Sequence, residues 1–128
     1  MIPEGAAALA AELDKLQRVQ ADLASIATRT DDRRRHDLIA LRRLLSDQIA
    51  TVGIMADPFF SVLGDETLRT YRAKFSHMRS AAALHQADWP AVRLGESVDA
   101  YRASALGVRE ANREFVAWAK VIIAALTG

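Results

Sequence analysis

The side chains best suited to chemistry in this chain are three histidines, His36, His77 and His85, set among 16 acidic residues. Carboxylate-bridged metal pairs in helical bundles need a Glu and a His three or four residues apart, because only those spacings aim both side chains inward from one helix face. Three residues after Glu12, Glu66, Glu96, Glu110 and Glu114 stand Lys15, Arg69, Asp99, Arg113 and Ala117. Four residues after the histidines stand Ala40, Ala81 and Trp89. Neither Glu-x-x-His nor His-x-x-x-Glu occurs, and three histidines are a thin supply for a two-metal site. With no Cys, thiolate metal sites, disulfides and cysteine nucleophiles are excluded. The expectation is no metal, no cofactor and no catalytic set; a single metal assembled from distant residues is the one case this census leaves open.

Two histidines have the context of a phosphoacceptor. His36 lies in Arg33-Arg34-Arg35-His36-Asp37-Leu38, which resembles the box of sensor histidine kinases, where the phosphorylated His precedes an acid on a bundle helix. Ala40 and Leu41 stand where that box expects Asn, Thr or Pro. His77 begins His77-Met78-Arg79-Ser80-Ala81, and Ser80 and Ala81 replace the Lys and Gly of a phosphotransfer domain. The plain alternatives are a surface histidine in a polar first turn and a half-buried one beside a helix seam. His85 reads as helix-end packing, where the dipole favours a cation. The six glycines are scattered, so no phosphate-cradling loop forms, and Ser76 and His77 point apart as helical neighbours. The cluster Arg33-Arg34-Arg35 with Arg42-Arg43 is offset by Asp31, Asp32, Asp37 and Asp47, which predicts a solvated, ion-paired face.

The elements that must position these groups are helices. The 128 residues make about one domain, and 25 Ala, 14 Leu and 14 Arg favour helix throughout. Lys and Arg, 17 together, nearly cancel the acids, which argues against nucleic acid as a partner. No apolar run reaches the ~18 residues of a membrane span. Met1 to Ala10 lacks the basic start of a secretory signal, so a cytoplasmic domain is expected.

Apolar spacings of three and four predict four helices. The first runs from Pro3 to Ala27 with Leu9, Leu13, Leu16, Val19 or Gln20, Leu23 and Ile26 on one stripe; Pro3 and Glu4 suit its first turn. The second runs from Asp32 to Ala56, on Leu38, Leu41, Leu45, Ile49, Val52 and Met55 widened by Ile39 and Leu44. Asp57-Pro58 should end it, leaving Phe59 to Leu63 as a buried cap. Asp65 caps the third, with Leu68, Tyr71, Phe75, Met78, Ala82 and His85. Asp88 restarts the chain as the cap of a fourth, whose seam is Val98, Tyr101, Ala105, Val108, Asn112, Phe115, Ala119, Ile122 and Leu126. Gly95 is the expected place for a bend or a late start. Asn112 breaks that seam, and a buried Asn can fix register. Short connections then predict an all-α, antiparallel up-and-down four-helix bundle in a single domain.

The order of these landmarks resembles a hemerythrin-like domain of the HHE cation-binding type. In that family the second helix ends in an apolar knot, matched here by Ile49 to Asp65. Phe59, Phe60 and Leu63 fall on its Leu-Tyr pair and final Leu, and Arg109 to Phe115 resembles its closing Arg-x-Glu-x-x-x-Phe run. The departures fall on the family's ligands: Thr51 replaces a His, Met55 a Glu, Leu13 lies near the first-helix His, and His77 stands where a carboxylate often sits. The resemblance therefore implies a hemerythrin-type bundle without its iron pair. The expected site is the space the metals vacated, lined by Leu13, Thr51, Met55, His77 and Asn112. It would hold a small apolar ligand or serve an unknown protein partner. Trp89, Trp118 and the small-residue runs add the expectation of a homodimer.

Overall fold

A computed structural model describes residues 5–93, 95 and 98–127. It contains four long helices, α1 (Ala6–Ile26), α2 (Arg34–Ser61), α3 (Asp65–Asp88) and α4 (Val98–Thr127), with a short 3₁₀ turn at Ala91–Arg93. Among the described residues there is no strand, and no helix is long and apolar enough to cross a membrane. Pro3 and Glu4, read as first-turn residues, lie outside the described residues. α1 packs against α2 and α4, and α3 packs against the same two. The helices thus surround one shared core.

That core follows the stripes. Leu9, Leu13 and Leu16 of α1 meet Leu45, Val52 and Phe60 of α2, Tyr71 and Met78 of α3, and Phe115, Val116 and Ala119 of α4. One end is filled by rings. Phe60 lies 5.0 Å from both Tyr71 and Trp118, and Phe115 lies 5.6 Å from Phe75. Full burial of Phe60 or Phe115 contributes roughly 1.5–3 kcal/mol each. Burial also pushes the Tyr71 phenol up to about 12, so it stays a neutral member of this ring cluster.

Two boundaries differ from expectation. α2 runs through Pro58 and ends at Ser61, so Phe59 and Phe60 belong to its last turn and are not a separate cap. Proline removes the N–H that would bond the carbonyl of Ile54. Ile54 is 77% exposed, so the helix face that loses this bond is the solvent side, where a proline is tolerated. Asp88 closes α3 and does not open α4, which starts ten residues later at Val98. Gly95 has φ +100°, a left-handed conformation that suits glycine and marks the late start.

Helix ends use backbone more than side-chain caps. Gly64, at φ +107°, precedes α3, and Asp65 and Glu66 lie in the first turn, at the positive end of the dipole. α2 starts at Arg34, two residues after the expected Asp32; Arg33 precedes it, and its N–H donates to Asp31 Oδ2 at 3.2 Å. Ile39 and Leu44, expected to widen the buried stripe of α2, are exposed.

Candidate functional site

Opposite the ring-filled end, the four helices do not close completely. The last turns of α1 (Gln20 to Ala24), the first turns of α2 (Leu38 to Leu45), the last turns of α3 (Ala82 to Gln86) and the first turns of α4 (Tyr101 to Arg109) surround a cavity of about 340 Å³. This is within the size range of small-ligand sites. Its walls are apolar, built from Leu23, Leu38, Leu45, Ala105, Leu106 and Val108. The composition explains the hollow: Ala24, Ala82 and Ala105 reach it where the opposite end carries phenyl rings.

The polar groups described on this cavity are cationic or neutral. Arg42, Arg102, Arg109, His85, Gln20, Gln86, Thr28 and Tyr101 line it, and among the described residues no Asp or Glu does. Gln20 is buried, 6% exposed, and its Nε2 has no hydrogen-bond partner among the described residues. Arg42 Nη2 is likewise buried and unpartnered. Burial holds the Arg42 pKa below the usual guanidinium value, and the polar group acting against that is Tyr101. No carboxylate forms an ion pair with Arg42 among the described residues.

His85 forms part of the same wall. Its Nδ1 lies 2.6 Å from Ser104 Oγ, and its ring is 5.4 Å from that of Tyr101. Burial, helped by the neighbouring Arg42 charge, pushes its pKa down to about 4 against the opposing pull of Asp88. The helix dipole that should favour a cation here is outweighed. Trp89 closes this corner edge-on to Tyr101 at 5.7 Å, with the Arg93 guanidinium 4.6 Å above the indole ring.

The residues expected to share a vacated site are not brought together at this cavity, and none of them lines it. Leu13 is completely buried in the core. Asn112 is 3% exposed, and its Oδ1 lacks a partner among the described residues. Met55 packs half-buried against the core. Thr51 donates its hydroxyl to the Asp47 carbonyl one turn back at 3.0 Å. His77 is exposed, because its place in α3 turns it away from Met78, which points inward. Those residues do not fit an iron pair: Leu13, Thr51 and Met55 offer no imidazole or carboxylate. No group of three His, Cys, Asp or Glu suited to a metal ion exists among the described residues. His36 is also exposed.

Sequence reasoning placed Arg42 on a solvated, ion-paired face. Asp31 and Asp37 instead bind Arg29, at 2.6 and 2.8 Å. The Arg29 interaction holds the Asp31 carboxyl down at about 2. The overlooked signal was spacing, since Leu38, Arg42 and Leu45 stand four and three residues apart, which puts Arg42 on the core stripe.

No family model, curated protein or solved structure matches this chain.

Proposed function

We propose that this chain is a non-catalytic, antiparallel up-and-down four-helix bundle that binds a small, largely apolar ligand as a regulatory module. The observation that carries the reading is the cavity of about 340 Å³ walled by leucine, alanine and valine at one end of the helices. Descent from a hemerythrin-type bundle belongs to the same reading. It is supported by Phe59, Phe60 and Leu63 on that family's apolar knot and by the closing run Arg109 to Phe115, while Leu13, Thr51 and Met55 depart from it at the ligand positions. The antiparallel order is supported by the alternation of helix ends around the cavity. Titration of ¹⁵N-labelled protein with 1-octanol tests ligand binding. Saturable shifts centred on Ala24, Ala82 and Ala105 are expected; a spectrum unmoved at the solubility limit contradicts the reading. A second copy of the chain is the protein partner in this account. It is supported by exposed Ile39 and Leu44 on α2, and light scattering showing only monomer at high concentration counts against it.

A second reading, histidine phosphotransfer, is favoured by one observation: His36 and His77 are both exposed, as a phosphoacceptor must be. Exposure is also the ordinary state of a polar side chain, whereas a buried guanidinium nitrogen without a partner is uncommon. Incubation with acetyl phosphate followed by ³¹P NMR tests it. A phosphoimidazole signal that disappears in His36→Gln or His77→Gln supports phosphotransfer, and no signal excludes it for this donor.

A further inference from the structure

Resting on the reading of the end cavity as a ligand site, we infer that its ligand is an amphipathic carboxylate, with an apolar body among the leucines and its carboxylate at Arg42.

Three observations converge on this class. The first is the imbalance of charge. Arg42, Arg102 and Arg109 all reach the cavity, and among the described residues no acidic one lines it. A neutral apolar ligand would give these groups nothing, and a cation would be repelled by them. The second is the unmet hydrogen-bonding capacity. Arg42 Nη2 and Gln20 Nε2 are buried donors without partners among the described residues. Gln20 is a side chain more than nine-tenths buried. Buried polar groups are rarely left unpaired, and each such group is costly. A carboxylate accepts several hydrogen bonds and supplies the missing countercharge; guanidinium and carboxylate are matched in shape. The third is the makeup of the walls. Leu38 and Leu45 flank Arg42 on α2, with Val108 and Leu106 facing from α4. An anion lacking an apolar body, such as inorganic phosphate, would leave that surface wet.

His85 does not compete for the role. Its burial beside Arg42 keeps it neutral at ordinary pH, and its Nδ1 is taken by Ser104. It shapes the wall and leaves Arg42 as the buried cation.

The test compares three probes of equal chain length on the wild-type protein, octanoate, 1-octanol and octylamine, by ¹⁵N shift titration and calorimetry. Octanoate should bind roughly tenfold or more tightly than 1-octanol, and octylamine should bind most weakly, as expected for a charge-assisted hydrogen bond in a desolvated site. Arg42→Met, which keeps the side-chain volume, should remove the octanoate preference and weaken 1-octanol far less than octanoate. Equal binding of octanoate and 1-octanol at the cavity overturns the carboxylate inference while leaving the apolar-ligand reading intact. No binding of any probe overturns both. The wild-type comparison does not depend on the variant folding.

Discussion

His85 Nδ1 and Ser104 Oγ, 19 residues apart in the chain, sit 2.6 Å from each other and join the last turn of α3 to the first turns of α4 at the wall of the end cavity. The contact forms where an imidazole is held neutral, with its pKa lowered to about 4 by burial and by Arg42.

This makes stability depend on pH in one direction. Unfolded, His85 titrates near 6.5; folded, near 4. Between those values the unfolded chain binds more protons, so stability falls as pH falls. The denaturant midpoint of the wild type should drop from pH 7 to pH 5, a range above ordinary carboxylate titration. His85→Gln should flatten that slope. An unchanged slope in the variant would place the titrating group elsewhere.

Arg42 should contribute nothing to stability. It is a half-buried cation whose Nη2 has no hydrogen-bond partner and which has no carboxylate partner among the described residues, and an apolar residue of similar volume removes its desolvation. Arg42→Met should leave the urea midpoint unchanged or raise stability by up to about 1 kcal/mol. A loss above that size would mean the guanidinium is a structural partner.

Two glycines inside helices should respond oppositely to alanine. A Cβ on Gly107 meets nothing within 4 Å, so Gly107→Ala should gain about 0.5–1 kcal/mol from helix propensity. A Cβ on Gly53 would lie 2.9 Å from Phe75 Cζ, and that ring is wedged between Tyr71 and Phe115. Gly53→Ala should lose about 1–3 kcal/mol from overpacking, less whatever helix propensity returns. Thermal melts of the two variants decide the sign.

Met55 is half-buried against the core, away from the cavity. Met55→Leu should cost less than ~1.5 kcal/mol. Met55→Glu should cost about 1–3 kcal/mol, because a carboxylate there has one side in apolar surroundings. Equal midpoints for the two variants would place Met55 in water.

The helices were legible because their stripes are regular: Leu9, Leu13, Leu16 and Ile26 are all buried, as are Val52, Met78 and Phe115. Pro58 misled because a proline in the last turn matters only if its lost partner is buried, and exposure is set by tertiary packing. The site was harder to read. Gln20 was visible as an alternative to Val19 on the α1 stripe, yet burial of its amide depends on three other helices. Arg42 has acidic neighbours in sequence, so local charge counting paired it. The carboxylates that should have done so are drawn to Arg29. Tyr101 and His85 were placed on their seams, but the cavity beside them arises where alanines of α1, α3 and α4 meet, which no single-helix pattern reveals.

The central claim is that the end cavity is a ligand site organised by Arg42. A crystal structure of the chain grown with octanoate tests it most directly. The account predicts the carboxylate within hydrogen-bond distance of Arg42 Nη2, with the alkyl chain along Leu38, Leu45 and Val108. Octanoate bound only on the outer surface, with Arg42 still unpartnered inside, would contradict it.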